Sequence, residues 1–119
     1  MGRKRYRGPD RRPSLRLAYP PEHRSVLATK SGELEVLDVS PKGLCLLNPE
    51  EIRFSGWFRG VLKFLCGDCV MVAGQVAWEK HGCVGVHLTV SDIPPTLILK
   101  EQHELARLAT EPALGRAQK

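Results

Sequence analysis

Aromatic residues are scarce in this chain: three Phe, two Trp and two Tyr in 119 residues, or 6%. Proteins that hold single-stranded nucleic acid usually stack bases on exposed aromatic rings, so the scarcity weighs against such a platform. Long apolar runs are missing too. No stretch approaches the roughly 20 residues that a helix needs to cross a bilayer. The basic, polar N-terminal stretch lacks the apolar region of a secretory signal, so a cytoplasmic setting is expected. In that setting Cys45, Cys66, Cys69 and Cys83 should be reduced and mostly buried. A single C-x-x-C, Cys66 to Cys69, falls short of the four thiolate or imidazole ligands of a structural zinc site, so no metal is expected. Nor does any nucleophile stand beside an oriented base, so no catalysis is expected.

Acidic residues are almost absent from one end. Residues 1–16 hold seven basic groups and one acid, Asp10, for a net charge of +6. The whole chain is +5, which leaves residues 17–119 at −1. The body is therefore nearly neutral, and the basic character belongs to the N-terminal segment. A nucleic-acid binder more often spreads its cations over a face of the fold. A charged arm suits wrapping a small anion, and it can also meet RNA or an acidic membrane.

The length fits one domain with a core of its own. Residues 1–10 read as a flexible basic arm and 111–119 as a frayed tail, leaving 11–110 as the folded domain. Pro20-Pro21 keeps the next stretch extended. Short apolar runs follow at 25–29, 33–38, 43–47, 57–65, 70–79 and 83–90, separated by turn residues such as Ser31-Gly32, Gly67-Asp68 and Lys80-His81-Gly82. In Leu34-Glu35-Val36-Leu37-Asp38, apolar and acidic residues partly alternate, as in a sheet with one wet face. Six short strands at regular spacing imply a mainly β fold, a small barrel or sandwich. His87 then reads as a satisfied histidine of the barrel. After Pro94-Pro95 the period changes. Leu97, Ile98, Glu101, Leu105 and Leu108 recur at helical spacing, with Asp92 placed to cap the helix and Pro112 to end it. The barrel or a second copy must cover that stripe.

Two motifs stand out. Arg11-Arg12-Pro13-Ser14-Leu15-Arg16 contains an R-x-x-x-R, and Arg7 to Arg11 forms another. Guanidinium groups fit phosphate oxygens and stack on flat bases. Alone, the cluster reads first as a solvated basic tail, because arginine-rich arms are common. Asp38-Val39-Ser40-Pro41-Lys42-Gly43 places an acceptor and a hydroxyl in a glycine-containing turn that can read a purine edge, or can simply bond its own backbone.

Together, in this order and around a β-barrel, the motifs resemble the PilZ domain family. The resemblance runs from Arg11 to about Ala109. It includes Gln75-Val76-Ala77-Trp78, then Val84-Gly85-Val86-His87-Leu88, then the C-terminal helix. It implies a six-stranded antiparallel barrel with a C-terminal helix and a non-catalytic receptor for cyclic di-GMP, without a cofactor. By that resemblance Arg12 and Arg16 grip phosphates and stack on guanine. Asp38 accepts hydrogen bonds from a guanine edge, Ser40 bonds the base or a phosphate, and Gly43 permits close approach. Trp78 either flanks the bound base or belongs to the core, and Gly85 gives clearance. Arg11, directly before R-x-x-x-R, implies an intercalated ligand dimer, and Arg7 extends the cluster. Ordering of the arm would create or hide a site for a protein effector in motility, biofilm formation or virulence, with the receptor a monomer or weak homodimer. The alternative reading is a small barrel that binds single-stranded nucleic acid through the arm.

Overall fold

Seven strands and one helix account for nearly all regular structure in the computed structural model, which describes residues 15–54, 56–90 and 92–110. The expected arm and tail, with Arg7, Arg11 and Arg12, lie outside the described residues. In chain order the elements are β1 (Leu17–Ala18), β2 (Val26–Thr29), β3 (Gly32–Ser40), β4 (Gly43–Leu47), β5 (Trp57–Lys63), β6 (Cys69–Lys80), β7 (Cys83–Leu88) and α1 (Pro95–Ala109). All pairings are antiparallel. The order β3-β2-β5-β6-β7-β4 closes on itself because β4 also pairs with β3. A six-stranded antiparallel barrel with a C-terminal helix is the expected architecture, and the structure has it. The additional strand β1 runs beside the second half of β3, with Leu17 opposite Val39 and Ala18 opposite Asp38.

Alternation explains the interior. Leu34, Val36, Val39, Leu44, Leu46, Leu62, Val72, Val84, Val86 and Leu88 point inward and are buried, forming one core with Phe58 and Leu27. Apolar burial of this kind is the main stabilising term of such a domain. His87 lies between the inward Val86 and Leu88, so it faces outward and is exposed, not an interior histidine. The cysteines also differ from expectation. Cys69 is exposed, and Cys45, Cys66 and Cys83 are half-buried, because they fall on outward positions or in the β5–β6 turn. The β6–β7 hairpin has two linking residues, His81 and Gly82, both with positive φ (54° and 75°). That conformation matches the twist of its strands.

The helix stripe is covered by the barrel and its β5–β6 turn. Ile98 and Glu101 face inward and are fully buried, and Leu97 and Leu105 pack on the core. Asp92 does not cap α1. Its carboxylate pairs instead with Lys42 at 2.9 Å, and Pro94 occupies the cap position. Glu101 anchors the helix. Its carboxylate accepts hydrogen bonds from the Tyr19 hydroxyl (2.7 Å) and from the backbone N–H groups of Leu65 (2.8 Å) and Cys66 (2.9 Å).

Two β-bulges break the alternation. On β3, Val36 pairs with Leu46 but Asp38 pairs with Cys45, so Leu37 is the extra residue. Its carbonyl accepts the Tyr19 N–H at 2.9 Å. On β6, Val76 pairs with Val86 but Trp78 pairs with Gly85, so Ala77 is extra. A one-residue shift reverses the face on which every later side chain lies.

Candidate functional site

The two bulges build one outward-facing row. Without them Asp38 would continue the inward series Leu34, Val36, and Trp78 would continue Val72, Gly74, Val76. With them, Asp38, Cys45, Gly85 and Trp78 lie opposite one another across β3, β4, β7 and β6. A second row, Ser40, Gly43, His87 and Gln75, runs alongside. The rows enclose a depression of about 290 Å³ lined by Arg16, Asp38, Ser40, Gly43, Trp78 and Gly85 together with Lys42, Cys45 and His87.

Each side of the depression has a distinct chemistry. Its floor is glycine. A Cβ on Gly43 would come within 3.1 Å of the Val86 carbonyl, and a Cβ on Gly85 would overlap the Trp78 indole. Trp78 therefore lies flat across the bare backbone of β7 while remaining 45% exposed. It is a wall of the depression and not part of the core. Gly43 does not adopt positive φ; what it supplies is clearance. The Ser40 hydroxyl lies 3.5 Å from the Gly43 carbonyl, a weak bond that leaves it available to another partner. The hairpin between them is held from behind: the Pro41 and Lys42 carbonyls accept the N–H groups of Ile93 and Leu88, each at 2.8 Å.

Charge enters from β3 and from the segment before β1. An Arg16 Nη1–H donates to the Asp38 carboxylate at 3.1 Å. Burial raises the Asp38 pKa above its ordinary value, and the Arg16 guanidinium partly offsets that shift. Burial likewise raises the Cys45 thiol, with the Asp38 carboxylate adding to it, so Cys45 is no activated nucleophile. Arg16 is 62% exposed and lightly held, so its other donors face solvent. A flat aromatic wall, a floor without side chains, a carboxylate acceptor, a hydroxyl and a cation together suit a planar polar ring that carries a phosphate.

Of the residues singled out from sequence, Arg16, Asp38, Ser40, Gly43, Trp78 and Gly85 come together here. Arg7, Arg11 and Arg12 fall outside the described residues. Lys42, Cys45 and His87 were missed as lining residues. For His87, the signal was present in the alternation Val84, Val86, Leu88. Among the described residues, no group of three His, Cys, Asp or Glu side chains could hold a metal, and no helix is long and apolar enough to cross a membrane.

No protein-family model matches this chain, and no curated protein does. Among solved structures, it is similar to the uncharacterized Legionella protein Lpg0364, with 14% identity over 79% of this chain and 92% of that one, and a TM-score of 0.47. It is similar also to the PilZ domain of CeSA from a cellulose-synthesizing bacterium, with 15% identity over 78% and 92% of the two chains and a TM-score of 0.45.

Proposed function

We propose that this protein is a non-catalytic cytoplasmic receptor for cyclic di-GMP. The observation that carries the reading is the Arg16–Asp38 contact, which joins the end of the R-x-x-x-R to the start of the D-x-S-x-x-G. Two motifs separated by 22 residues in sequence thus meet at one depression. In this reading Asp38 accepts from a guanine edge, Ser40 bonds the base or a phosphate, Trp78 flanks the base, and Gly43 and Gly85 leave room for it. Arg16 exchanges Asp38 for a phosphate or a guanine face, and Arg12 and Arg11, with Arg7 beyond them, close over the ligand.

The energetics are consistent with that division. A hydrogen bond to a charged group contributes roughly 1.5–3 kcal/mol, and micromolar affinity requires about 8 kcal/mol net. Arginines alone, after the cost of ordering the chain that carries them, fall short of this. Arginines with Asp38 and Ser40 reach it. Closure of the N-terminal segment over the ligand changes the surface offered to a protein effector, which is how binding becomes a signal for motility, biofilm formation or virulence.

Titration calorimetry with cyclic di-GMP tests the proposal. Micromolar or tighter binding is expected, at two stacked ligands per chain. Absence of binding refutes the function. Binding of one ligand per chain keeps the function and rejects the stacked pair assigned to Arg11.

A further inference from the structure

A second, larger hollow of about 620 Å³ lies on another part of the barrel wall. Phe54, Trp57 and Phe58 form its apolar side, and Lys30, Arg53 and Arg59 stand around it. Among the described residues, no acidic side chain lines it. Among the ten described Lys and Arg side chains, six have an ion-pair partner: Arg16, Arg24, Lys42, Lys63, Lys100 and Arg107. The four without one are Lys30, Arg53, Arg59 and Lys80, and three of these four converge on this hollow. Uncompensated cations around an apolar concavity are a charge pattern awaiting its complement.

Apolar surface continues beyond the hollow. Arg59 pairs with Ala73 and Val61 with Met71, so these side chains share the outer face of β5 and β6. Trp57 is 53% exposed, Met71 68% and Val90 67%, three of the five large apolar side chains left exposed among the described residues. An extended strip with an aromatic anchor point, a methionine and a cationic rim has the makeup of a protein-docking surface. Single-stranded RNA fits it less well. Phe58 is buried and Phe54 half-buried, packed edge-to-face at 6.4 Å, which leaves Trp57 as the one open ring in the hollow among the described residues. The three cations surround a concavity and do not trace a track for a phosphate backbone.

We infer that the hollow of Trp57, Arg53 and Arg59 is a docking site for an acidic segment of a protein partner. In that complex a large apolar side chain enters beside Trp57, and flanking carboxylates meet Arg53, Arg59 and Lys30. The site uses none of the cyclic di-GMP residues, so it stands or falls independently of that ligand.

The test is NMR titration of the ¹⁵N-labelled full chain. The probe is a degenerate octapeptide library with Asp or Glu at the outer positions and Phe, Leu, Ile or Trp at the two central ones. A matched library carrying Lys in place of the acids and an oligouridylate serve as comparisons. Expected results are a shifted Trp57 indole N–H with the acidic library and affinity more than about tenfold lower in the Arg53→Glu/Arg59→Glu variant. Both positions are exposed, so the fold should tolerate the reversal. Trp57→Ala should weaken binding comparably without altering charge. Cyclic di-GMP titration of the double variant should match wild type, which separates failure of this site from failure of the other. A silent Trp57 with the acidic library, an equal response to the lysine library, or a response to oligouridylate alone overturns the inference.

Discussion

Replacing Glu101 should cost more stability than any surface change, and the amount follows from its three donors. The residue is fully buried, and the Tyr19 hydroxyl and the Leu65 and Cys66 amides all terminate on its carboxylate. In Glu101→Ala all three lose their acceptor. A buried donor left unsatisfied costs about 1–3 kcal/mol. Tyr19 is buried and bears the full penalty, whereas Leu65 and Cys66 are half-buried and regain part of theirs from water. With the cavity left by the side chain, the total comes to about 3–5 kcal/mol, a large part of the 5–15 kcal/mol typical of a whole domain. Glu101→Gln keeps the shape. Its amide oxygen, placed where Oε2 now accepts from Tyr19 and Leu65, retains two bonds and turns an NH₂ toward the Cys66 N–H. That should cost about 1–3 kcal/mol. Urea unfolding read by circular dichroism measures both, with the slope against denaturant unchanged. The consequence extends to the candidate site, because Tyr19 follows β1 directly and β1 holds Arg16 beside Asp38. Glu101→Ala should therefore also weaken cyclic di-GMP binding more than Glu101→Gln does. If both variants unfold within about 1 kcal/mol of wild type, the anchoring role assigned to Glu101 is wrong.

Other perturbations separate stability from binding. Burial is the main cause of the raised Tyr19 pKa, and the Glu101 carboxylate adds to it. A group with a raised folded value holds its proton while the unfolded chain loses it, so stability is full below about pH 10 and declines above that; alkaline unfolding curves should show this fall, and Tyr19→Phe should remove Tyr19's share of it. Asp38 also has a raised value, so its charged form at neutral pH opposes folding, and its ion pair with the exposed Arg16 returns little. Asp38→Asn should leave the urea midpoint equal or higher while lowering cyclic di-GMP affinity more than about tenfold; a lower midpoint with unchanged affinity contradicts both assignments. Arg16→Ala should weaken the ligand more than about tenfold with the fold intact, and unchanged calorimetry would remove Arg16 from the site. Two glycines should respond differently to Ala. At Gly85 the nearest atoms to the new Cβ all belong to the indole edge of the half-exposed Trp78, so the ring should swing away and its NMR signal move while the fold persists. At Gly74 it meets the His87 carbonyl and the Leu88 backbone, which cannot swing away, so the β6–β7 pairing should weaken and the unfolding midpoint fall. Equal unfolding midpoints for the two variants would contradict this contrast.

The barrel was legible because alternation and turn residues are local signals. Each of the six expected strands is present, and the β6–β7 turn lies at His81-Gly82 as the glycine suggested. What escaped were features set by partners distant in sequence. β1 has only two residues, and its pairing depends on the far half of β3. Asp92 has the right offset to cap α1, but Lys42 competes for it from a hairpin 50 residues away. The bulges matter most. Strict alternation assigns Trp78 to the core and leaves its other possible role open, and the same pattern would turn Asp38 inward. Only the extra residues Leu37 and Ala77 bring both side chains to the outer face, on strands separated by β4 and β7. Nothing in Leu37 or Ala77 itself marks a bulge. The register comes from the neighbours: Gly85, which accepts the indole, and Tyr19, whose N–H takes up the carbonyl that the bulge frees. The motif residues mark a candidate site, but these otherwise unremarked neighbours turn Asp38 and Trp78 outward to face one space.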